Sequence, residues 1–241
     1  MKTVAIIQAR MSSSRLPGKV MLPVGDSTML GQVVRRVRQS QKVHEVVVAA
    51  SNLPADEPIW EWCNQHGVAC VRGDSQDVLS RYADAARATS PTHIVRITSD
   101  CPLIDPTVID ATVAAIHSQP HLDYACNFYP VRTFPRGLDV EVMTDRCLRR
   151  VDQLATRSEY REHVTLMIYR EPRRFRIGSH LHATCYSDLR WTVDTSQDLE
   201  LVQSIYKWMP DSDFGWLDVI AAYRNNPHWR HINDSILQKA A

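Results

Sequence analysis

The stretch QARMSSSRLPGK, residues 8–19, gathers three cations (Arg10, Arg15 and Lys19), three serines and a Pro-Gly turn. Loop amides and hydroxyls can cradle phosphate oxygens, and Arg and Lys neutralise them. The GxxxxGK[ST] spacing of a Walker A loop is absent, so a phosphate site here is of another kind. The competing reading is an exposed basic loop. Two carboxylates stand in comparable settings: Asp100 within TSDCPL and Asp194 within LRWTVDTSQD. Each has an ordinary explanation. Asp100 suits a turn or Asx cap before Pro102, and Asp194 could support a helix opening at Ser196. Taken as a pair they match Mg²⁺, which takes one or two carboxylates plus substrate phosphates.

Such groups must be held at the ends of rigid elements. Apolar runs at 4–7, 46–50, 68–71 and 93–98 predict strands. Amphipathic segments at about 28–40, 56–66, 76–88 and 107–118 predict helices between and after them, the second turning Ile59, Trp60 and Cys63 inward. This alternation argues for an α/β fold with a mostly parallel sheet. The runs are apolar throughout, as in strands covered on both faces. Ligands of such sheets bind beyond the C-terminal strand ends, which is where residues 8–19 and 98–103 fall. After about 122 the rhythm breaks at Pro130, Pro135 and Gly137. A strand at 138–143, helices at about 145–155 and 159–170, strand pieces over 174–193 and helices at about 197–208 and 216–225 follow. Residues 1–241 are expected to form a single domain, with 122–190 an elaboration for acceptor recognition and a dimer contact.

The chain has 28 Lys plus Arg against 27 Asp plus Glu, a net charge of +1. That balance gives no reason to invoke nucleic acid or a membrane as a partner. The basic groups Arg35, Arg36 and Arg38, and Arg170 to Arg176, read as solvated faces. Six cysteines include no CxxC pair, which disfavours zinc. The opening apolar run is too short for a signal peptide, and no run approaches the ~20 residues of a membrane span. A cytoplasmic location with reduced thiols is the expectation.

Residues IIQARMSSSRLPGKVMLPVG resemble the opening of the CMP-Kdo and CMP-sialic acid synthetase superfamily, whose loop reads A-R-x-x-S-x-R-L-P-x-K. RGDSQDVLSRY at 72–82, RITSDCPLIDP at 96–106, EHVT at 162–165 and RWTVDTSQDL at 190–199 are similar to its spore-coat polysaccharide cytidylyltransferase-like branch. The resemblance spans about residues 3–205. It implies a three-layer α/β/α nucleotidyltransferase (GT-A-like) fold, CTP as donor, Mg²⁺ and a homodimer. Carried over by position, Arg10, Ser13, Arg15 and Lys19 would bind the triphosphate, with Ala9 and Ser99 beside the nucleotide. Asp100 and Asp194 would hold the metal, and Arg15 and Lys19 would act with them in catalysis. Arg72, Asp77 and Arg81 would form the nucleotide side of the cleft. CMP-Kdo synthetases carry Gln-Gly-Asp-Glu-Pro where this chain has Thr98-Ser99-Asp100-Cys101-Pro102, which argues against Kdo itself as acceptor.

The implied reaction moves CMP from CTP to a small acceptor, an acidic sugar in the leading reading and a phosphonate in another, releasing pyrophosphate. Arg132 and Arg136 could grip an acceptor anion bidentately, with Arg157 and Arg161 in the same Arg-rich stretch. Asp139 and Glu141 would touch its hydroxyls or a second metal, and Glu162 and His163 would line the same pocket. Two rivals remain. A glycosyltransferase of similar fold would use a D-x-D motif, here only Asp211-Ser212-Asp213. A nucleotide-sensing module would not need both Asp100 and Asp194.

Overall fold

The computed structural model describes residues 1–209, 211 and 213–236. The first strand, β1 (Thr3–Gln8), shows why the sheet is covered on both faces. Ala5 and Ile7 enter one apolar cluster, and Val4 and Ile6 enter a second. Period-2 alternation in a run without polar residues has to fill two cores. A short hairpin follows, β2 (Pro23–Val24) with β3 (Ser27–Thr28). Next come α1 (Met29–Arg38), β4 (Glu45–Ser51), α2 (Glu57–Gln65), β5 (Ala69–Gly73), α3 (Val78–Thr89), β6 (His93–Thr98) and α4 (Pro106–His117). The second part contains β7 (Tyr124–Cys126), β8 (Glu141–Thr144), α5 (Asp145–Leu154), α6 (Ser158–Glu162), α7 (Leu166–Arg170) and β9 (Ile177–Ser179). Helices α8 (Ser196–Trp208), α9 (Trp216–Ala222) and α10 (Trp229–Ile232) close the described chain.

Seven strands form one sheet in the order β5-β4-β1-β6-β8-β7-β9. Pairs β1–β4, β1–β6, β4–β5 and β7–β9 are parallel, and β8 is antiparallel to both neighbours. Buried side chains of α1, α4, α8 and α9 belong to one cluster, and those of α3, α5, α6 and α7 to the other. The three layers expected from the resemblance are present. Side-chain caps start the helices where the sequence supplies them. Thr28, Asp77, Asp105 and Thr144 accept backbone N–H bonds at the N-termini of α1, α3, α4 and α5. Thr195 and Asp198 form a capping box on α8, as such residues do three apart.

Some expectations are corrected. Trp62, not Trp60, turns inward from α2 with Ile59 and Cys63. The helix expected over 159–170 is split into α6 and α7, because Val164 takes a left-handed φ of 41° that a continuous helix cannot contain. Of the strand pieces expected over 174–193 only β9 forms, together with an isolated parallel bridge between Arg136 and Arg190. Arg36 is not on a solvated face. It is buried, donating from Nε to Ile104 O (2.6 Å) and from Nη2 to Phe214 O (3.0 Å). Among the described residues no helix is long and apolar enough to cross a membrane.

Candidate active site

The parallel strands end together, and Ser99 N donates to Gln8 O (3.1 Å) to join β1 and β6 at that edge. The chain leaves β1 into residues 9–18, which fold back on themselves: Ser13 N and Gly18 N both donate to Met11 O at 2.9 Å. Met11 N is anchored on Asp56 Oδ1 (2.7 Å), and Asp56 is itself buried and fixed by Ser51. Gly18 has φ 70°, a left-handed turn that glycine adopts without strain. That turn sends Lys19 inward, leaving it 8% exposed.

Lys19 Nζ is the hub of the site. It donates to Asp100 Oδ2 (2.8 Å), Asp194 Oδ1 (2.9 Å) and Val193 O (2.7 Å). The two carboxylates, far apart in sequence, are brought together because Val193 N donates to Asp100 O (2.8 Å). Asp194 Oδ2 also meets Arg15 Nη2 (2.9 Å) and Arg190 Nη2 (2.8 Å). Burial would lower the Lys19 pKa, but the charges of Asp100 and Asp194 outweigh it and raise the value. Burial would likewise raise Asp194, and Lys19, Arg190 and Arg15 more than reverse it, so its carboxyl is held below the usual range. Asp194 is thus an ionised carboxylate ringed by three cations.

A cleft of about 410 Å³ opens over this hub. It brings together Ala9, Arg10, Ser13, Arg15, Lys19, Arg81, Ser99, Asp100, Asp194, Glu162 and His163 from the sequence expectations. Arg10 faces solvent with a long ion pair to Glu162 (3.7 Å). Arg81 is 2% exposed, and its Nε and Nη1 have no hydrogen-bond partner among the described residues. An unpaired buried guanidinium is costly, and burial, the main influence on it, lowers its pKa. Arg81 also lines the cleft, although these two nitrogens are themselves closed to solvent.

The remaining expected residues lie elsewhere. Arg72 pairs with Glu57 (2.9 Å). Asp77 caps α3 and takes both Nε and Nη2 of Arg161 at 2.9 and 2.6 Å, and Arg161 also holds Asp152 (2.8 Å). Arg157 pairs with Glu159. Arg132 grips Asp139 with both terminal nitrogens. Glu141 is 3% exposed and bound by Arg96 and by Tyr124 Oη (2.6 Å), inside the sheet and not in the cleft. Arg136 lines a separate hollow of about 370 Å³ with Arg190, Tyr223 and Arg230. Of the expected acceptor residues, Arg132, Arg136, Asp139 and Glu141 do not line the cleft over Lys19. Arg136 N donates to Leu189 O and Arg136 O accepts from Trp191 N, pinning the extended segment that leads to Asp194. Gly137, φ 101°, fits there because a Cβ would stand 2.6 Å from Thr192 N. The D-x-D pair is also remote. Asp213 accepts from Gln39, just past the C-terminus of α1, at the sheet end opposite the cleft; Ser212 lies outside the described residues.

Sequence reasoning missed Gln8, Val78 and Thr98 in the cleft wall, and Asp56 and Arg190 behind it. Gln8 and Thr98 could have been found from their place at strand ends. Asp56 carried no local signal, since it acts on Met11, distant in the chain; Arg190 stands four and eight residues before its partners Asp194 and Asp198, inside the RWTVDTSQDL motif.

The donor set suits Mg²⁺. Asp100 Oδ2 and Asp194 Oδ1 converge on one cationic head within 2.9 Å, both are hard oxygens, and no third His, Cys, Asp or Glu joins them among the described residues. Two carboxylates with the remaining positions left to phosphate and water is the usual Mg²⁺ arrangement.

Comparison with known proteins gives a consistent picture. The cytidylyltransferase family model matches residues 4–219. The spore coat polysaccharide biosynthesis protein SpsF of Bacillus subtilis is 33% identical over 233 residues, covering 92% of this chain and 94% of that protein. A solved cytidylyltransferase from Leptospira borgpetersenii superposes with a TM-score of 0.91 at 33% identity over the full length of both chains. The CMP:2-keto-3-deoxy-manno-octonic acid synthetase solved with CTP superposes at 0.66 with 18% identity, covering 86% of this chain and 99% of that one, a likeness of fold.

Proposed function

Because the chain belongs to the cytidylyltransferase family, we propose that it transfers CMP from CTP to a small acidic sugar in a Mg²⁺-dependent reaction that releases pyrophosphate. The observation that carries this reading is the convergence of Lys19, Arg15, Asp100 and Asp194 on one point of the cleft. The acceptor oxygen attacks the α-phosphorus of CTP, the bond from that phosphorus to the bridging oxygen breaks, and pyrophosphate leaves. Asp100 and Asp194 would hold the Mg²⁺. When bound, the ion neutralises charge developing on the phosphate oxygens. Lys19 and Arg15 would exchange their carboxylate partners for the β- and γ-phosphates and carry the leaving charge. Ser13 and the amides of residues 10, 12, 14 and 15 would complete the cradle, and buried Arg81 would flank the nucleotide. No side chain is assigned as general base.

The acidic acceptor is supported by the named substrate of the Kdo-type neighbour and by Arg10, whose head is half-exposed beside Glu162 and His163. Kdo itself is disfavoured. Cys101 replaces the Kdo-type Glu, and it is buried against Thr98 and Thr192. Burial, aided by Asp100 and Asp139, pushes its thiol well up, so the position is neutral. A role in polysaccharide assembly follows from the SpsF relation. A homodimer in the cytoplasm belongs to the same reading, supported by exposed Val131 and Leu181 in the 122–190 stretch; sedimentation giving one-protomer mass would remove the dimer.

Calorimetric titration of CTP, UTP, ATP and GTP in Mg²⁺ tests the donor. CTP is expected to bind best, and equal affinity for ATP would contradict the reading.

A further inference from the structure

The cleft has two walls set by the two faces of the sheet. Lys19 and Asp194 enter from the side of α1 and α8, beside the cluster that takes Ala5 and Ile7. Gln8, the last residue of β1, shares the parity of Val4 and Ile6 and faces the α3 side, where Val78 and Arg81 also line the cleft. With the triphosphate on the first wall, the base of the nucleotide falls to the second. That wall offers an apolar flank from Val78 and the positive charge of Arg81, whose Nε and Nη1 are themselves closed to solvent. It lacks only an acceptor to select an amine.

Beneath it lies Tyr82, fully buried. Its phenol faces three acceptor oxygens: Ile6 O at 3.2 Å, Gln8 Oε1 at 3.3 Å and Ile97 O at 3.4 Å. One phenol proton satisfies one of them, while the phenol oxygen can itself accept. With the proton on Ile6 O, a half-turn of the Gln8 carboxamide brings Nε2 to the phenol oxygen and satisfies both groups. That turn would leave Oε1, which now faces the phenol, toward the cleft as a fixed acceptor.

We infer that Gln8, held by Tyr82, is a specificity-determining residue whose Oε1 accepts from the exocyclic amine of cytosine. Uracil would set its own carbonyl oxygen against Oε1 and be rejected. A site built to pair a hydrogen-bonding group discriminates against its absence more strongly than an apolar pocket does. The inference rests on reading the cleft as a CTP site.

Its test is calorimetric binding of CTP, UTP and the pyrimidin-2-one ribonucleoside triphosphate, which is CTP without the amine, to wild type, Gln8→Met and Tyr82→Phe. Wild type should bind the other two at least about tenfold more weakly than CTP. Gln8→Met should bring all three within about twofold by weakening CTP, and Tyr82→Phe should narrow the gap in the same direction. An unchanged CTP-to-UTP ratio in Gln8→Met, with wild type still preferring CTP, would overturn the role of Gln8 alone. Failure of wild type to bind CTP would overturn the site reading and this inference together. Should Gln8→Met not fold, the wild-type comparison of CTP with its amine-free analogue decides: equal affinity overturns the inference.

Discussion

At the scale of single residues, the site is a charge exchange waiting for substrate. Asp194 accepts from Lys19, Arg15 and Arg190; Arg190 is also tied to buried Asp198, and Lys19 to Asp100 and Val193 O. In the proposed reaction Lys19 and Arg15, both in the cleft wall, are the cations that exchange a carboxylate for phosphate. Lys19→Ala and Arg15→Ala are therefore expected to weaken CTP binding more than CMP binding, measured by calorimetry. Equal losses would place both side chains at the α-phosphate or the base. Asp100→Asn and Asp194→Asn keep side-chain size and remove one ligand charge. Each should lower turnover by ~10²–10³ while circular dichroism stays native, and a near wild-type rate in saturating Mg²⁺ would refute the paired assignment. The loop and both carboxylates were legible in the sequence because each follows an apolar run. Arg81 was legible only through resemblance. Composition counts cations but not their partners: Arg132, Arg157 and Arg161 each have a carboxylate in reach and lie outside the cleft wall.

At the scale of elements, the extended segment leading to Asp194 is held from two sides. Residues 134–138 pack against its backbone, and Asp198 in the first turn of α8 ties Arg190 by Nε (2.9 Å) and Nη2 (3.1 Å), with Asn233 Nδ2 at 2.8 Å. Gly137→Ala would force a φ of 101° on a side chain and push it into Thr192. A loss of about 1–3 kcal/mol is expected, read from denaturant midpoints, with catalysis reduced as Asp194 shifts. Asp198→Ala leaves the Arg190 guanidinium short of its buried partner and should cost about 3–5 kcal/mol. A melting temperature unchanged from wild type would show that the pair is dispensable. Period and caps made the parallel half readable. The second half was less so, since β7 and β9 span three residues each, too short to show a period, and the break at Val164 depends on packing that no propensity records.

At the scale of the whole molecule, the apolar runs dictated a sheet buried on both faces, and the strand ends dictated where ligand would sit. Acid should dismantle this arrangement. Burial alone would raise Asp194 and Asp198, but cations and hydrogen bonds hold both below the ordinary value. Groups depressed in the folded state contribute stability above their unfolded pKa, and that contribution is lost as pH falls through the folded value. Denaturant midpoints should thus be flat near neutrality and drop below about pH 4, with Asp198→Asn flattening the acid limb; a wild-type-like limb in that variant would show that other carboxylates control it. The central claim is CMP transfer from CTP at the Lys19–Asp100–Asp194 hub, and pyrophosphate release across a panel of acidic sugars, neutral sugars and phosphonates tests it most directly. The account predicts release from CTP in Mg²⁺ with an acidic sugar, abolished by EDTA and by Asp100→Asn. Release from CTP with neutral sugars alone, or at an undiminished rate in Asp100→Asn, would contradict it.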